Sequence, residues 1–370
     1  MAKYKLGDVC EIVSGSTPKT NIEEYWDGDI KWITPAEIND DTYIITDSIR
    51  KITDLGAKKT GLSLFPEGTV ILSSRAPIGK VAIAGCAMCC NQGFKNLICS
   101  DKILNKYLYW FLKGNTPYLN SLGRGATFRE ISKSIVAQIE INVPDIVYQK
   151  EVVDILEKIS EVITRRKREL SAFDNLIKAR FVEMFGDPST NPRGWDETTI
   201  SDECFYIKDG PHKSLPDIGK ENGGHPFISV RNIVNGHIDF STARYISDED
   251  YADAIRKCHP EKGDMLYSKG GTTGIAKLID IDEEFANWVH VAVLKFDKSR
   301  LNGVFFENML NCSYCYEQSQ RLTKGIANRD LVLSAMAQIK LYCPPMELQN
   351  QFADFANQVD KSKVAVLKIF

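Results

Sequence analysis

All five histidines of this 370-residue chain, His212, His225, His237, His259 and His290, lie in its second half. A lone histidine at a loop tip is more often solvated or packed than catalytic. Gly79-Lys80 in "APIGKV" hints at a phosphate loop, but no earlier glycine stands at the required spacing. Val81 also replaces the Ser/Thr that would hold magnesium there. "GGTTG" at 270–274 is not followed by a cofactor-binding βαβ pattern and reads as a turn. Asp280, Asp282, Glu283 and Glu284 form a solvated run, and Pro216-Asp217 has no acid-x-Lys downstream to build a nuclease centre. A zinc site would need Cys86, Cys89 and Cys90 to meet Cys312 and Cys315 across more than 200 residues, from unlike local settings. No catalytic, cofactor-binding or metal-ligating set is expected in this chain.

Asp187-Pro188-Ser189 and Asn191-Pro192-Arg193 superficially match the Asn/Asp-Pro-Pro-aromatic motif with which DNA amino-methyltransferases hold a target nitrogen. Both lack the second proline and the aromatic, and no glycine-rich loop precedes them. What the sequence does offer is cations and amides in turn-rich settings. Arg75 and Lys80 stand in "SSRAPIGK", Asn91, Gln92 and Lys95 in "NQGFKN", and Arg124 and Arg129 in "GRGATFRE". The second half supplies Lys269 and Lys277, then Arg321, Lys324 and Arg329 in "RLTKGIANRD". Arg and Lys suit guanine edges and phosphates, and Asn and Gln suit adenine, so these are the candidate DNA-contacting residues. The plainer reading of each cation is a solvated surface charge. Trp26 and Trp32 in "YWDGDIKWITP" look like core and turn packing rather than base-stacking platforms.

The net charge of −3 argues against nucleic acid only while it is averaged over the chain. Residues 1–67 carry −4 and 68–134 carry +7, while 188–261 carry −5 and 262–329 carry +1. Each half becomes more basic toward its end. No apolar run reaches membrane-spanning length, and the N-terminal stretch lacks the apolar core of a signal peptide. Ten cysteines without an export signal read as reduced thiols, and the expected location is the cytoplasm.

The elements that must position these residues come twice. "NVPDIVYQKEVVDIL" at 142–156 answers to "YCPPMELQNQFADFA" at 342–356, with Pro144 and Pro344 ending strand-like runs and Gln149 and Gln349 entering helical ones. "GTVILSSRAPIGKVAI" answers to "GDMLYSKGGTTGIAKLI", and "LGRGATFREISKSIVAQIEINVP" to "LTKGIANRDLVLSAMAQIKLYCP". Each repeat reads as short strands and turns, then a helix near 105–114 in the first, then a closing strand. That order is α+β. The fold expected is two similar globular domains, 1–145 and 188–345, separated by a long antiparallel helical, coiled-coil-like pair. Its helices occupy 146–187 and 346–370, the second of them short or truncated. Apolar residues at Val152, Ile155, Ile159, Val162, Phe173, Leu176 and Ile177, then Phe181 and Met184, and again at Leu348, Phe352, Phe355, Val359, Val366 and Ile369, keep heptad-like spacing, so each helix needs a partner. Three readings stay open on the residues alone: a non-catalytic DNA reader, a coiled-coil scaffold for proteins, and a stand-alone DNA-modifying enzyme.

"YWDGDIKWITPAEI", "GTVILSSRAPIGKVAI", "NQGF" and "GATFREISKSIVAQIEINVPDIVYQKEVVDIL" resemble the DNA specificity subunit of type I restriction–modification systems. "FVEMFGDPSTNPRGW" resembles the passage from that family's helical spacer into its second target-recognition domain. The second domain's middle and the short final helix depart from the pattern. The resemblance implies that each domain reads one half of a split sequence in double-stranded DNA while the helices set the gap. It implies as partners two modification (methyltransferase) subunits using S-adenosylmethionine, and restriction subunits adding ATP- and Mg-dependent translocation and cleavage. This chain would then be the non-catalytic address reader.

Overall fold

Unbroken apolar runs mark strands buried on both faces. Two such runs, Val70–Ser73 and Val81–Ala84, are buried at every residue. The computed structural model describes residues 2–75, 77–125, 129–326 and 328–367. It sets these strands in a five-stranded sheet ordered Cys10–Ser14, Phe94–Cys99, Val70–Ser73, Val81–Ala84, Ile44–Ile45. Leu108, Tyr109 and Leu112 of helix Asn105–Gly114 close over the same core. A smaller sheet, Arg50–Ile52, Trp26–Ile33 and Cys89–Cys90, carries the two tryptophans. Trp26 and Trp32 meet edge to face at 5.1 Å, with the Arg50 guanidinium 3.5 Å over Trp26, so both are packing residues.

The second half repeats the plan with its own residues. Cys204–Asp209, Val291–Phe296, Met265–Ser268 and Ala276–Leu278 form an antiparallel sheet, covered by Phe305, Phe306, Met309 and Leu310 of helix Gly303–Asn311. Arg244–Ile246, His225–Ile228 and Ala286–Asn287 form the smaller sheet. In both halves the first strand zips to the last, Ala2–Lys5 to Glu140–Val143 and Glu197–Thr199 to Lys340–Tyr342. The fold is α+β twice over. The chain divides into the units Met1–Arg165 and Arg166–Phe370, and the boundary falls inside one helix, Ile146–Phe185.

The duplicated connector is a hydrogen-bonded joint. After Pro144, the wholly buried Gln149 donates from Nε2 to the carbonyls of Pro144 (2.8 Å) and Lys102 (2.9 Å) and accepts the Leu104 N–H at 2.8 Å. Gln349, equally buried, donates to Pro344 (2.7 Å) and Arg300 (2.9 Å) and accepts from Asn302 at 2.8 Å. Each buried glutamine thus spends its amide on three backbone groups. It thereby fixes the helix to the loop ahead of the covering helix. Asp145 caps the first of these helices by accepting the Tyr148 N–H at 2.9 Å.

In the first unit, the central helix rests on its domain through Val153 and through Glu157, which takes the Tyr43 hydroxyl at 2.5 Å and the Lys106 ammonium at 2.8 Å. Ile155, Ile159 and Val162 remain exposed. In the second unit, the rest of that helix pairs antiparallel with helix Met346–Leu367. Phe352 lies 5.4 Å from Phe181 and 5.7 Å from Phe185, and both also meet Phe305 of the domain. Further along, Lys363 reaches back to Asp174 at 2.7 Å. The helix stops at Phe185 rather than 187 because Gly186 takes φ +79° and Pro188 cannot continue it. Trp195 then donates its indole N–H to the Phe185 carbonyl at 2.8 Å. At the other end, Ile369 and Phe370 lie outside the described residues. Phe181→Ala should remove about 3–5 kcal/mol from the second unit. Urea unfolding checks this, and a loss under about 1 kcal/mol would mean that this aromatic cluster does not join helix pair to domain.

Candidate nucleic-acid interface

The ends of "RGATFRE" and "KGIANRD" pair in the same way beside the two sheets, each closing a hairpin. Arg124 and Glu130 exchange backbone bonds at 3.1 and 3.0 Å, and Lys324 and Asp330 do so at 2.9 Å each way. Behind each hairpin the next residue docks on the central strand's end, Ile131 N–H to Ser74 O (2.9 Å) and Leu331 N–H to Lys269 O (2.7 Å). A third segment joins from the adjacent strand, Ser74 N–H to Gly93 O (2.7 Å) and Lys269 N–H to His290 O (2.8 Å). Asn91 N–H and Trp288 N–H bond to Ile33 O and Ile228 O at 3.0 and 2.9 Å. Asn91-Gln92-Gly93 and Trp288-Val289-His290 therefore hold the same place in the two domains.

A buried lysine lies beneath each hairpin. Lys95, 6% exposed, holds Nζ 3.2 Å from Glu130 Oε1 and 3.3 Å from Ser74 Oγ. Lys269, 5% exposed, holds Nζ 3.1 Å from Asp330 Oδ1 and 3.5 Å from Asp209 Oδ2. The two lysines come from different strands, Lys95 from Phe94–Cys99 and Lys269 from just beyond Met265–Ser268, yet meet the acid at the same hairpin position. A buried ammonium without such a partner costs several kcal/mol.

The sequence candidates separate accordingly. In the first unit, Arg124 and Arg129 are exposed on the hairpin, and Arg75 stands 4.0 Å from Glu130. A Cβ at Gly93 would lie 3.0 Å from Asn91 Oδ1 and 3.7 Å from Arg75 Cγ, so the 91–93 segment abuts Arg75. Gln92 is exposed, and its Oε1 accepts from Thr17. Lys80 lies half-buried with Nζ on the Pro35 carbonyl at 2.8 Å. In the second unit Arg321 and Lys324 are exposed, while Arg329 is half-buried and bonded to the Gln320 side chain. Lys277 is buried away from the hairpin, 3.3 Å from Glu307 and 3.6 Å from Asp280. Burial pushes the Glu307 carboxyl up, and Lys277 opposes that rise. Spacing grouped Lys95, Lys269 and Lys277 with surface contacts; the structure places all three below the surface, already paired.

Several residues of this surface gave no motif. Arg231, Trp288 and His290 are among them, and with the sequence candidate Arg329 they line a cleft of about 600 Å³ beside the second hairpin. Arg244 lies 5.8 Å over the Trp288 ring. Trp288 Nε1 and His290 Nδ1 are buried with no partner among the described residues. Aligning the repeats around Asn91 and Trp288 was the one available signal. Among the described residues no group of three His, Cys, Asp or Glu could hold a metal ion. All ten cysteines are free, and burial pushes the Cys89 and Cys90 thiols up to about 12. What the two edges can do is present guanidinium, ammonium and amide donors on hairpins bonded to the sheets, which is the chemistry of phosphate and base-edge contact.

Lys95→Met should leave the first sheet intact and loosen its hairpin. Amide exchange at Arg124 and Glu130 should accelerate roughly tenfold, a modest effect because Glu130 is partly solvated. Val70–Ser73 should exchange as before; an unchanged hairpin would mean that Lys95 does not hold it.

A family model described as the type I restriction modification DNA specificity domain matches residues 1–172 and again 192–368. The type I restriction enzyme MjaIX specificity subunit of Methanocaldococcus jannaschii is 30% identical over 366 residues, covering 94% of this chain and 84% of that protein. The EcoprrI specificity subunit of Escherichia coli is 23% identical, covering 96% of this chain and 86% of that one. The crystal structure of a type I S subunit from M. genitalium has the same fold, with a TM-score of 0.54 at 15% identity, covering 99% of this chain and 91% of that one.

Proposed function

We propose a role for this chain from the premise that it belongs to the type I restriction–modification DNA specificity family: it is the DNA-reading subunit, and each domain reads one half of a split sequence. The observation that carries this reading is the pair of equivalent hairpins. Each is pinned to its own sheet and presents exposed cations, Arg124 and Arg129 in one and Lys324 in the other. Domains 1–145 and 188–345 are the readers, and segments 146–187 and 346–370, which carry helices Ile146–Phe185 and Met346–Leu367, are the spacer. The cations supply phosphate neutralisation, which makes affinity fall steeply with salt, and the neighbouring amides and aromatics supply base contacts.

The chain carries no chemistry of its own in this proposal. Its partners are double-stranded DNA, two modification subunits that bring S-adenosylmethionine, and restriction subunits that bring ATP and Mg, all in the cytoplasm. Among the described residues no helix is long and apolar enough to cross a membrane. The exposed stripe Ile155, Ile159 and Val162 on the central helix suits the docking of those subunits. The helix of 40 residues is about 60 Å long at about 1.5 Å per residue. That is ample for half-sites one DNA turn, roughly 34–36 Å, apart.

Arg124→Ala or Arg129→Ala, in the assembled complex, should weaken binding about tenfold and lower discrimination at one half-site only. Competition with duplexes altered in one half at a time measures this. Loss of discrimination in the half read by the second domain would show that domains and half-sites are wrongly matched. A heptad inserted within 155–177 adds about 10.5 Å of helix, roughly three base pairs of DNA. Methylome sequencing should show the gap lengthened by about that much with both halves unchanged; an unaltered gap would remove the spacer from the account.

A further inference from the structure

We propose that Ile326 reads a base, by placing its side chain against the C5-methyl group of a thymine in the second half-site. The inference rests on the DNA-reading function proposed above and adds to it the kind of base pair addressed. Ile326 is 100% exposed, the most exposed large apolar side chain among the described residues. Single exposed apolar residues are common on surfaces, but this one is held out rather than left out. Its hairpin is closed by the Lys324–Asp330 backbone pair, tied to the sheet by Arg329 O accepting from Gly271 at 2.9 Å, and pinned below by Lys269. Gly325 takes φ +85°, and a Cβ there would strike Asn328 O at 2.2 Å, so the chain turns this tightly only because that position is glycine. The hairpin's own geometry keeps Ile326 away from the sheet.

The surroundings select the occupant. Lys324 stands two residues before Ile326, Arg329 three after, and exposed Arg321 precedes the hairpin. An apolar tip flanked in sequence by cations, Arg321 and Lys324 of them exposed, fits a polyanion that offers an apolar group in a groove. In the DNA major groove that group is the thymine methyl. Exposed Asn328 shares the tip, and a side-chain amide is the natural partner of adenine N6 and N7. The two residues together address an A·T pair or an A·T-containing step. Spacing did not flag Ile326, because an isoleucine in a basic turn carries no motif.

The test uses the complete chain in its assembled methyltransferase, after methylome sequencing has given the split site. Each thymine of the second half is replaced singly by deoxyuridine, which removes the methyl and nothing else. Wild-type complex should bind one of these duplexes about three- to fourfold more weakly, the value of one buried methyl group at about 0.8 kcal/mol. Ile326→Ser should bind the thymine and deoxyuridine duplexes equally while keeping wild-type discrimination at the other positions of the second half-site, which also shows that the second domain folds. The proposal is overturned if no deoxyuridine weakens the wild type, if the loss persists in Ile326→Ser, or if the second half-site contains no A·T pair. A complex with no preference for any split sequence would instead overturn the DNA-reading function itself.

Discussion

An ammonium group enters a protein interior at low cost only when a carboxylate meets it there, and this constraint organises both candidate DNA-contacting edges of the molecule. Lys95 and Lys269 are carried by the sheets, and Glu130 and Asp330 by the hairpins, so satisfying the lysine fixes the loop. The acid does more than balance charge. Its backbone closes the hairpin against Arg124 or Lys324, and the residue after it docks on the central strand. Breaking the ion pair therefore acts on the position of the flanking cations, though none of them touches the buried lysine. The lysine arrives from a different strand in each domain, which shows that what the two share is the location of the carboxylate.

A common frame with unlike edges follows. The frame consists of the central sheet, the covering helix and the glutamine joint, and it recurs almost bond for bond around Gln149 and Gln349. The edges diverge. Where the first domain has Asn91-Gln92-Gly93, the second has Trp288-Val289-His290, and a cleft opens beside them. Two domains of one design can thus present different donor sets, as two unlike half-sites require. The joint matters for the same reason: three hydrogen bonds from one glutamine fix each domain to the helix that follows it.

Much of this was legible in the sequence, because its causes are local. Proline ends a strand, a buried glutamine recurs at one place, and apolar residues at heptad spacing demand a helical partner; Phe181 and Phe352 supply that contact. The repeat also located the hairpins and the exposed arginines 124 and 129. Charge alone could not sort the lysines. Lys95 and Lys277 look like surface cations in sequence, and only the fold brings Glu130 and Glu307 to them from 35 and 30 residues away. Trp288, His290 and Ile326 were missed for the complementary reason, since their meaning comes from the segments packed beside them.

The most direct test compares Lys95→Met with Lys269→Met by methylome sequencing of hosts that express each with the modification subunits. If each buried lysine holds one reading hairpin, each variant should relax the methylated motif in one half, and the two should affect opposite halves. Relaxation of both halves by either variant, or a fully retained motif in a stably assembled complex, would contradict the account.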